Sequence, residues 1–405
     1  MMFRKNIRSS NIFIWLTIPG GIFILFSFFP AFGTFPILAF VGGLLIFLHF
    51  FSRFYEKHVD DYLTIDNPDH KVRSYPGDEE HIKLAIAQKG ILPIINAKLM
   101  VTYDLVLESS YEGINKNRNK TVEIPFTLLS FEKKDISLPV VSKQRGIGKI
   151  RGIHIVVPNL LGFGDIELIF NHFYRQEIII YPSLREVEGV HLLEARNNGD
   201  QQAKHSIYEQ PLLQYGTRQY VNGDPFNRIH WKATAKRDEL QTKVVEKVNQ
   251  LSWCFVINVK TEYGAPMIQQ IERVLEHTAY LCRLATQKQI PYELYINVRG
   301  FQGVPYLHLP LGNDQKHLMN TLELLARINP LDLTAPYIQV LKHIDQQNKP
   351  PYIIHLGELE DEHISVLSRW KRQGSSVYYV DENDYSAELI PLTKKGGVET
   401  HDLSG

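Results

Sequence analysis

The first break in the polarity pattern comes early: from Ser9 to Ser52 the chain carries no Lys, Arg, Asp or Glu. That stretch is about twice the ~20 residues a helix needs to cross a bilayer. Its apolar character predicts two spans, Ile12 to Phe29 and Phe35 to Phe51. Pro30-Ala31-Phe32-Gly33-Thr34 forms the turn between them, because Pro and Gly break helices. After residue 60 the pattern shortens to β-branched and aromatic runs separated by turn signals. These runs are His81 to Ala87, Ala97 to Glu108, Lys120 to Leu128, Gly152 to Val157 and Glu177 to Tyr181. Such spacing predicts an antiparallel, Ig-like sandwich with a polar hairpin tip at Glu112 to Lys120. Gly162-Phe163-Gly164-Asp165 reads as a turn and not as a phosphate loop, since no Lys-Ser or Lys-Thr follows it.

A polar run, Arg196 to Gln202, marks a boundary, and from Trp253 the pattern changes again. Trp253 to Val259 is a continuous apolar run, followed by Ile268, Ile271, Val274, Thr278, Leu281 and Ala285 at helical spacing. Pro291 to Val298, Tyr352 to Leu356 and Ser376 to Val380 read as further strands. Two helices (Leu318, Leu322, Leu325; Ile338, Leu341, Ile344) and a third (Ile364, Leu367, Trp370) alternate with them. This order predicts a mainly parallel sheet with helices on both faces. The expected domains are therefore a helical hairpin at 1–57, a β-sandwich at 58–190, a linker and signature segment at 191–249, and an α/β domain at 250–405.

Charge adds orientation. Arg4, Lys5 and Arg8 precede the apolar stretch and Arg53 and Lys57 follow it, so the positive-inside rule puts both termini, and the bulk of the chain, in the cytoplasm. A cleaved signal peptide fits the same basic start, but the second apolar run would then act as a stop-transfer segment and leave that bulk inside. Overall, 44 basic residues balance 44 acidic ones among 405, which disfavours a general nucleic-acid binder. The two cysteines, Cys254 and Cys282, sit in apolar surroundings and read as buried thiols.

The most distinctive segment is 216–247, GTRQYVNGDPFNRIHWKATAKRDELQTKVVEK. Asp224 before Pro225 reads as an N-cap with Pro at the first helical position. The helix expected there has Phe226, Ile229 and Ala233 on one face and Arg228, Lys232 and Lys236 along a basic edge. Leu240 to Val248 reads as a strand leading into the parallel sheet. Arg218, Tyr220, Gly223-Asp224, Arg228, Ile229, His230-Trp231-Lys232, Ala235, Leu240 and Lys243 together resemble the signature of the bacterial membrane-associated domain-of-unknown-function family fifty-eight. The layout of two spans, an all-β region, this signature and an α/β region similar to a von Willebrand factor A domain agrees with that family over nearly the whole chain. The resemblance implies partnership with a MoxR-type AAA+ ATPase and an association with membrane transglutaminase-like proteins.

Each residue of the signature has two readings. Asp224 and His230 form either a carboxylate and imidazole pair for hydrolysis or, in the case of Asp224, a simple cap. Trp231 and Lys232 either dock a partner or leave Trp231 packed between helix and sheet. Arg228 is either an anion clamp or half of an ion pair with Asp224 or Glu246. With Arg218 these residues make up the candidate binding set. A magnesium-binding A domain presents Asp-x-Ser-x-Ser after its first strand. The corresponding residues Asn258, Lys260 and Thr261 lack the carboxylate and both serines, so no metal or other cofactor is expected. Glu358, Glu360 and Asp361 leave an acidic rim after a later strand. Three functional classes follow: a membrane adaptor that serves an ATPase, with envelope biogenesis as one setting; a hydrolase; and a regulator that binds a soluble ligand.

Overall fold

A computed structural model describes residues 2–9, 12–27, 35–111, 113–116, 119–159, 164–191, 193, 209–221, 226, 229–247, 252–259, 268–300, 306–346, 350–383 and 386–392. The chain divides into two compact units, Met1–Ser183 and Leu184–Gly405.

In the first unit, strand β1 (Phe3–Ser9) leads into helices α1 (Ile12–Ser27) and α2 (Phe35–His58). Eleven more strands follow: β2 (Leu63–Ile65), β3 (Lys71–Ser74), β4 (Glu79–Gln88), β5 (Ile94–Asp104), β6 (Leu107–Ser109), β7 (Gly113–Lys116), β8 (Asn119–Leu128), β9 (Lys133–Ser142), β10 (Gly146–Pro158), β11 (Gly164–Phe170) and β12 (Glu177–Ile180). One sheet runs β1-β11-β10-β5-β8-β7, with β12 bonded to β10 and to β3; the other runs β2-β4-β9-β6. Alternating residues from both sheets, among them Leu84, Ile86, Leu99, Val101, Leu138 and Ile155, make one buried core, as a half-buried strand's period of two requires. Among the described residues every pairing in this unit is antiparallel except β3 with β12. The expected hairpin tip is the β7–β8 turn, where Lys116 faces Asn119.

Two features of this unit were not legible in the pattern. The segment before the apolar stretch is not a free basic tail: β1 pairs with β11 from Phe3↔Phe170 to Ser9↔Gly164. The second helix does not stop at Phe51 but continues to His58, where Ser52, Tyr55 and Glu56 are buried against the sandwich. The Ser52 hydroxyl donates to Asn159 Oδ1 at 3.0 Å, and Asn159 Nδ2 donates to Glu56 Oε1 at 2.6 Å. Of the two helices, Ile37–His58, 22 residues at mean hydropathy 1.9, is long and apolar enough to cross a membrane. At 16 residues α1 reaches about 24 Å. The helices approach closely at two glycines: a Cβ on Gly42 would lie 2.6 Å from the Gly20 carbonyl oxygen, which excludes a side chain there, and one on Gly20 would lie a tight 3.1 Å from the Gly42 carbonyl oxygen.

The second unit opens with β13 (Glu209–Gln219), a short helix α3 (Trp231–Arg237) and β14 (Gln241–Lys247). It continues with β15 (Trp253–Asn258), α4 (Ile268–Gln287), β16 (Tyr292–Ile296), β17 (Leu307–Gly312), α5 (Gln315–Arg327), α6 (Tyr337–Gln346), β18 (Tyr352–Gly357), α7 (Asp361–Arg372), β19 (Ser376–Glu382) and β20 (Ala387–Pro391). The main sheet has the order β17-β16-β15-β18-β19-β20; the four central strands are parallel and both edges antiparallel. All six residues of β15 are buried because helices cover both faces. Cys254 and Val256 pack with Tyr337, Leu341, Leu367 and Trp370 of α6 and α7. On the other face, the Tyr292 hydroxyl meets Thr321 of α5 at 3.0 Å. Cys254 and Cys282 are buried and unlinked, and desolvation raises both thiol pKa values well above the ordinary range.

Leu240 to Val248 does not enter this sheet as the sequence suggested. Instead β14 pairs antiparallel with β13, so the two strands form a separate ribbon. The edge strands β17 and β20 were likewise not legible, since each is only five or six residues long and β17 has no buried residue.

Candidate functional site

The signature segment folds as a ribbon with a helix inserted in its connection. Arg218 faces Thr242 and Gln219 faces Gln241 across the ribbon, and Ile229 bridges to Thr242. The His230 amide donates to the Gln241 carbonyl at 2.7 Å, and the Gln241 amide donates to Thr234 Oγ1 at 3.0 Å, which ties the helix start to the strand. Ile229, Gln241 and Thr242 are buried where these bonds converge.

The start expected for this helix lies outside the described residues, which show a helix at Trp231–Arg237. Asp224, Pro225 and Arg228 lie outside the described residues, and the N-cap of α3 is His230, whose Nδ1 accepts the Ala233 amide at 3.0 Å. That bond fixes the neutral ring as the tautomer with its proton on Nε2. At the other end Asp238 adopts the left-handed conformation (φ 56°) and its amide returns to the Thr234 carbonyl, ending the helix after seven residues. No residue of α3 is buried. Trp231 is 67% exposed, so it does not pack between helix and sheet. Phe226, in a 3₁₀ position ahead of α3, is 73% exposed and 6.0 Å from the Tyr220 ring, so it does not share a buried face with Ile229. Val221 and Leu240 are also exposed. Lys232 and Lys236, one turn apart, and Arg237 are exposed on the same short helix, and Arg218 donates to the Gln219 carbonyl at 3.2 Å from an exposed position. The structure thus brings His230, Trp231 and Lys232 together on one short helix, with exposed apolar side chains at Val221, Phe226 and Leu240.

The second candidate region is the carboxyl edge of the parallel sheet, where the strand order reverses between β15 and β18 and ligands of open sheets usually bind. Among the described residues that position is bridged by side-chain amides. The Val259 amide donates to Asn297 Oδ1 at 2.9 Å, Asn297 Nδ2 donates to Asn258 Oδ1 at 2.8 Å, and Asn258 Nδ2 donates to the Glu358 carbonyl at 2.9 Å. The backbone groups at both ends can each play only one role, so they set the orientation of both side-chain amides. Gly357 makes the approach possible: with φ 98°, any Cβ there would sit 2.1 Å from the Asn258 carbonyl oxygen. Beneath this bridge His355 is fully buried, accepting the Tyr337 hydroxyl at Nδ1 (2.6 Å) and donating from Nε2 to the Gly357 carbonyl (3.0 Å). Burial depresses its pKa to about 3, so the ring is neutral.

Of the run compared with a magnesium site, Asn258 is buried within this bridge, while Lys260 and Thr261 lie outside the described residues. The acidic rim is partly accounted for by α7: Asp361 and Glu362 occupy its first turn, where carboxylates favour the helix dipole, and the Glu360 amide donates to His363 Nδ1 at 3.2 Å. Among the described residues no group of three or more His, Cys, Asp or Glu side chains is arranged to hold a metal ion. Asn297, Tyr337 and His355 were missed by sequence reasoning, because nothing local distinguishes an Asn, Tyr or His at a strand or helix end from any other.

Searching the curated proteins found no match. Among solved structures, similarity was found to a β-glucosidase from Listeria innocua (11% identity, TM-score 0.18, 29% of this chain and 16% of that one). A CARDB domain from Pyrococcus furiosus (13%, 0.17, 29% and 84%) and a non-cellulosomal cohesin from Archaeoglobus fulgidus (14%, 0.18, 29% and 90%) are similar to the same degree. This chain therefore spans about a sixth of the glucosidase's length. Residues 216–349, from the signature ribbon through α6 and about a third of the chain, match the model of the family described as "Protein of unknown function DUF58".

Proposed function

We propose that this protein is a membrane-anchored cytoplasmic adaptor, whose α/β unit is a metal-free von Willebrand factor A-like domain presenting the signature ribbon to a MoxR-type AAA+ ATPase. The observation that carries the reading is the exposure of Trp231 and Phe226 beside Lys232 and Lys236, at a helix with no buried residue. Burying an aromatic ring typically yields about 1.5–3 kcal/mol, and a sequence that leaves two of them in water beside a tethered helix is suited to a partner that covers them. The strand order, with a central first strand and an antiparallel edge beside the second, supports the A-like assignment. The commitment of His230 Nδ1 to the helix cap speaks against its use as a hydrolytic base.

The anchor reading is a two-helix hairpin. Its support is that β1 before α1 and the strands after α2 share one sandwich, so a chain that crosses the bilayer in α2 must also cross in α1 to return. Basic residues flanking both helices support a cytoplasmic sandwich and cytoplasmic termini on this reading. A membrane transglutaminase-like protein is the further partner this reading carries, and envelope biogenesis its setting.

The test is photocrosslinking from position 231 in native membranes, with and without nucleotide. The expected result is a crosslinked MoxR-type ATPase that disappears when Lys232 and Lys236 are changed to Glu. Recovery of no ATPase from a folded, membrane-inserted protein would overturn the adaptor reading.

A further inference from the structure

Four large apolar side chains stand exposed in loops at one end of the first unit: Tyr62, Ile91, Leu129 and Phe131, with Ile91 75% and Phe131 70% exposed. Loop tips ordinarily carry polar residues, and clustered apolar exposure marks a surface that meets something other than water. Backbone bonds hold these loops as one surface. The Lys89 amide donates to the Tyr62 carbonyl at 3.0 Å, the Tyr62 ring lies against Gly90, the Phe131 amide donates to the Gly90 carbonyl at 3.2 Å, and the Ser130 hydroxyl bonds the Ile91 carbonyl. The Gln88 amide donates to the Glu132 carbonyl at 2.9 Å, joining the two loops again at their base.

This surface lies at the foot of α2. The Tyr55 hydroxyl donates to the Pro93 carbonyl at 2.7 Å, and Gln88 Nε2 donates to the carbonyls of Val59 and Leu92 at 3.0 and 2.8 Å. Helical side chains lean toward the N-terminus, so Pro93 sits near the level of the turn preceding Tyr55. That is within about 8 Å along the axis of Phe50, where the exposed apolar side of α2 (Phe40, Phe47, Phe50, Phe54) comes to its end. Exposed Lys89, Lys133 and Lys134 border the loops. An apolar helix surface, continued by aromatic and aliphatic side chains at its end and bordered by lysines, matches the succession of acyl chains, boundary and anionic headgroups in a bilayer.

We propose that the Tyr62, 89–93 and 129–132 loops form a lipid-contacting surface, whose apolar side chains enter the headgroup and acyl boundary of the bilayer that holds α2. The occupant is lipid because the patch is continuous with the apolar surface of α2, and the buried Ser52–Asn159–Glu56 bonds fix the helix to the sandwich that bears these loops. This inference rests on the membrane-anchored reading of α2.

The experiment uses the full chain in vesicles of phosphatidylcholine and phosphatidylglycerol. Single nitroxide labels are introduced through Ile91→Cys and Leu129→Cys, with Phe47→Cys as the in-bilayer reference. Glu79→Cys, at the far end of β4 from Gln88 and about 30 Å away, is the aqueous reference. Native Cys254 and Cys282 are buried and stay unlabelled in the folded protein. The expected ratio of oxygen to nickel-chelate accessibility at 91 and 129 is several-fold above that at 79 and below that at 47. Water-like ratios at both loop positions with a bilayer-like ratio at 47 overturn the lipid-contacting surface and leave the anchor intact. A water-like ratio at 47 overturns both.

Discussion

Replacing Asn258 with Asp tests the closure of the sheet's carboxyl edge, because the two side chains have nearly the same shape and differ in one donor. In the wild type, Asn258 Nδ2 donates to the Glu358 carbonyl at 2.9 Å while Oδ1 accepts from Asn297 at 2.8 Å. In the Asn258→Asp variant an ionised carboxylate keeps the second bond and faces the Glu358 carbonyl with an oxygen. Leaving a buried carbonyl without its donor costs about 1–3 kcal/mol, and the carboxylate's own desolvation adds to that. The alternative is to protonate the introduced carboxyl, which restores a donor but at pH 7 costs about 4 kcal/mol, roughly three units at 1.36 kcal/mol each from a carboxyl value near 4. The cheaper route sets the loss, so the second unit of Asn258→Asp should be about 3–4 kcal/mol less stable at pH 7. The sign with pH follows from the raised folded-state pKa of the new carboxyl: the neutral form dominates at low pH, so the deficit shrinks toward pH 4 and grows as pH rises. Tryptophan fluorescence during guanidinium unfolding reads this unit, because Trp253 and Trp370 are fully buried in it. A change within about 0.5 kcal/mol at pH 7, the size typical of surface substitutions, or a loss that does not vary with pH, would refute the amide-bridge reasoning.

His230→Ala should cost about 1 kcal/mol as a lost helix cap, whereas Trp231→Ala should stay within about 0.5 kcal/mol while abolishing ATPase crosslinking; equal effects on the melting midpoint would contradict the exposure of Trp231. Because burial lowers the pKa of His355 to about 3, its contribution is complete above the unfolded value near 6.5 and is lost progressively as pH falls from there toward 3. His355→Gln should flatten that part of the stability–pH profile, and an unchanged slope would assign it to other groups. Gly42→Leu should separate α1 from α2, since even a Cβ meets the Gly20 carbonyl oxygen at 2.6 Å, and a double-cysteine crosslink between the helices that survives the substitution would show that they do not pack there. Magnesium should raise the melting temperature of the wild-type chain no more than a salt of equal ionic strength, and a specific rise lost in Glu358→Gln would sink the metal-free reading.

Wherever one element's own side chains carry the signal, the sequence was sufficient. The uncharged stretch from Ser9 to Ser52, the apolar run Trp253 to Val259 and the helical spacing from Ile268 to Ala285 each announce an element, and the structure has α1 and α2, β15 and α4 in those places. The signature residues around His230 likewise pointed to the family whose model spans residues 216–349. Strand pairing was not legible, because a strand's partners are chosen by distant residues: Phe3 pairs with Phe170 across two helices and most of a sandwich, and β14 pairs with β13 instead of joining the larger sheet. Asp224, expected as a cap on local preference, lies outside the described residues, whereas α3 starts from His230, whose amide is tied to Gln241 of the neighbouring strand. Trp231 shows the same limit. Its apolar ring suggests burial, yet the docking of Ile229 and Gln241 turns the helix so that the ring faces water. Hydrophobic periodicity is a property of neighbouring residues and survives in a string of letters. Register, exposure and the Asn258–Asn297 bridge depend on which distant backbone groups come within hydrogen-bonding distance, and only the tertiary fold decides that.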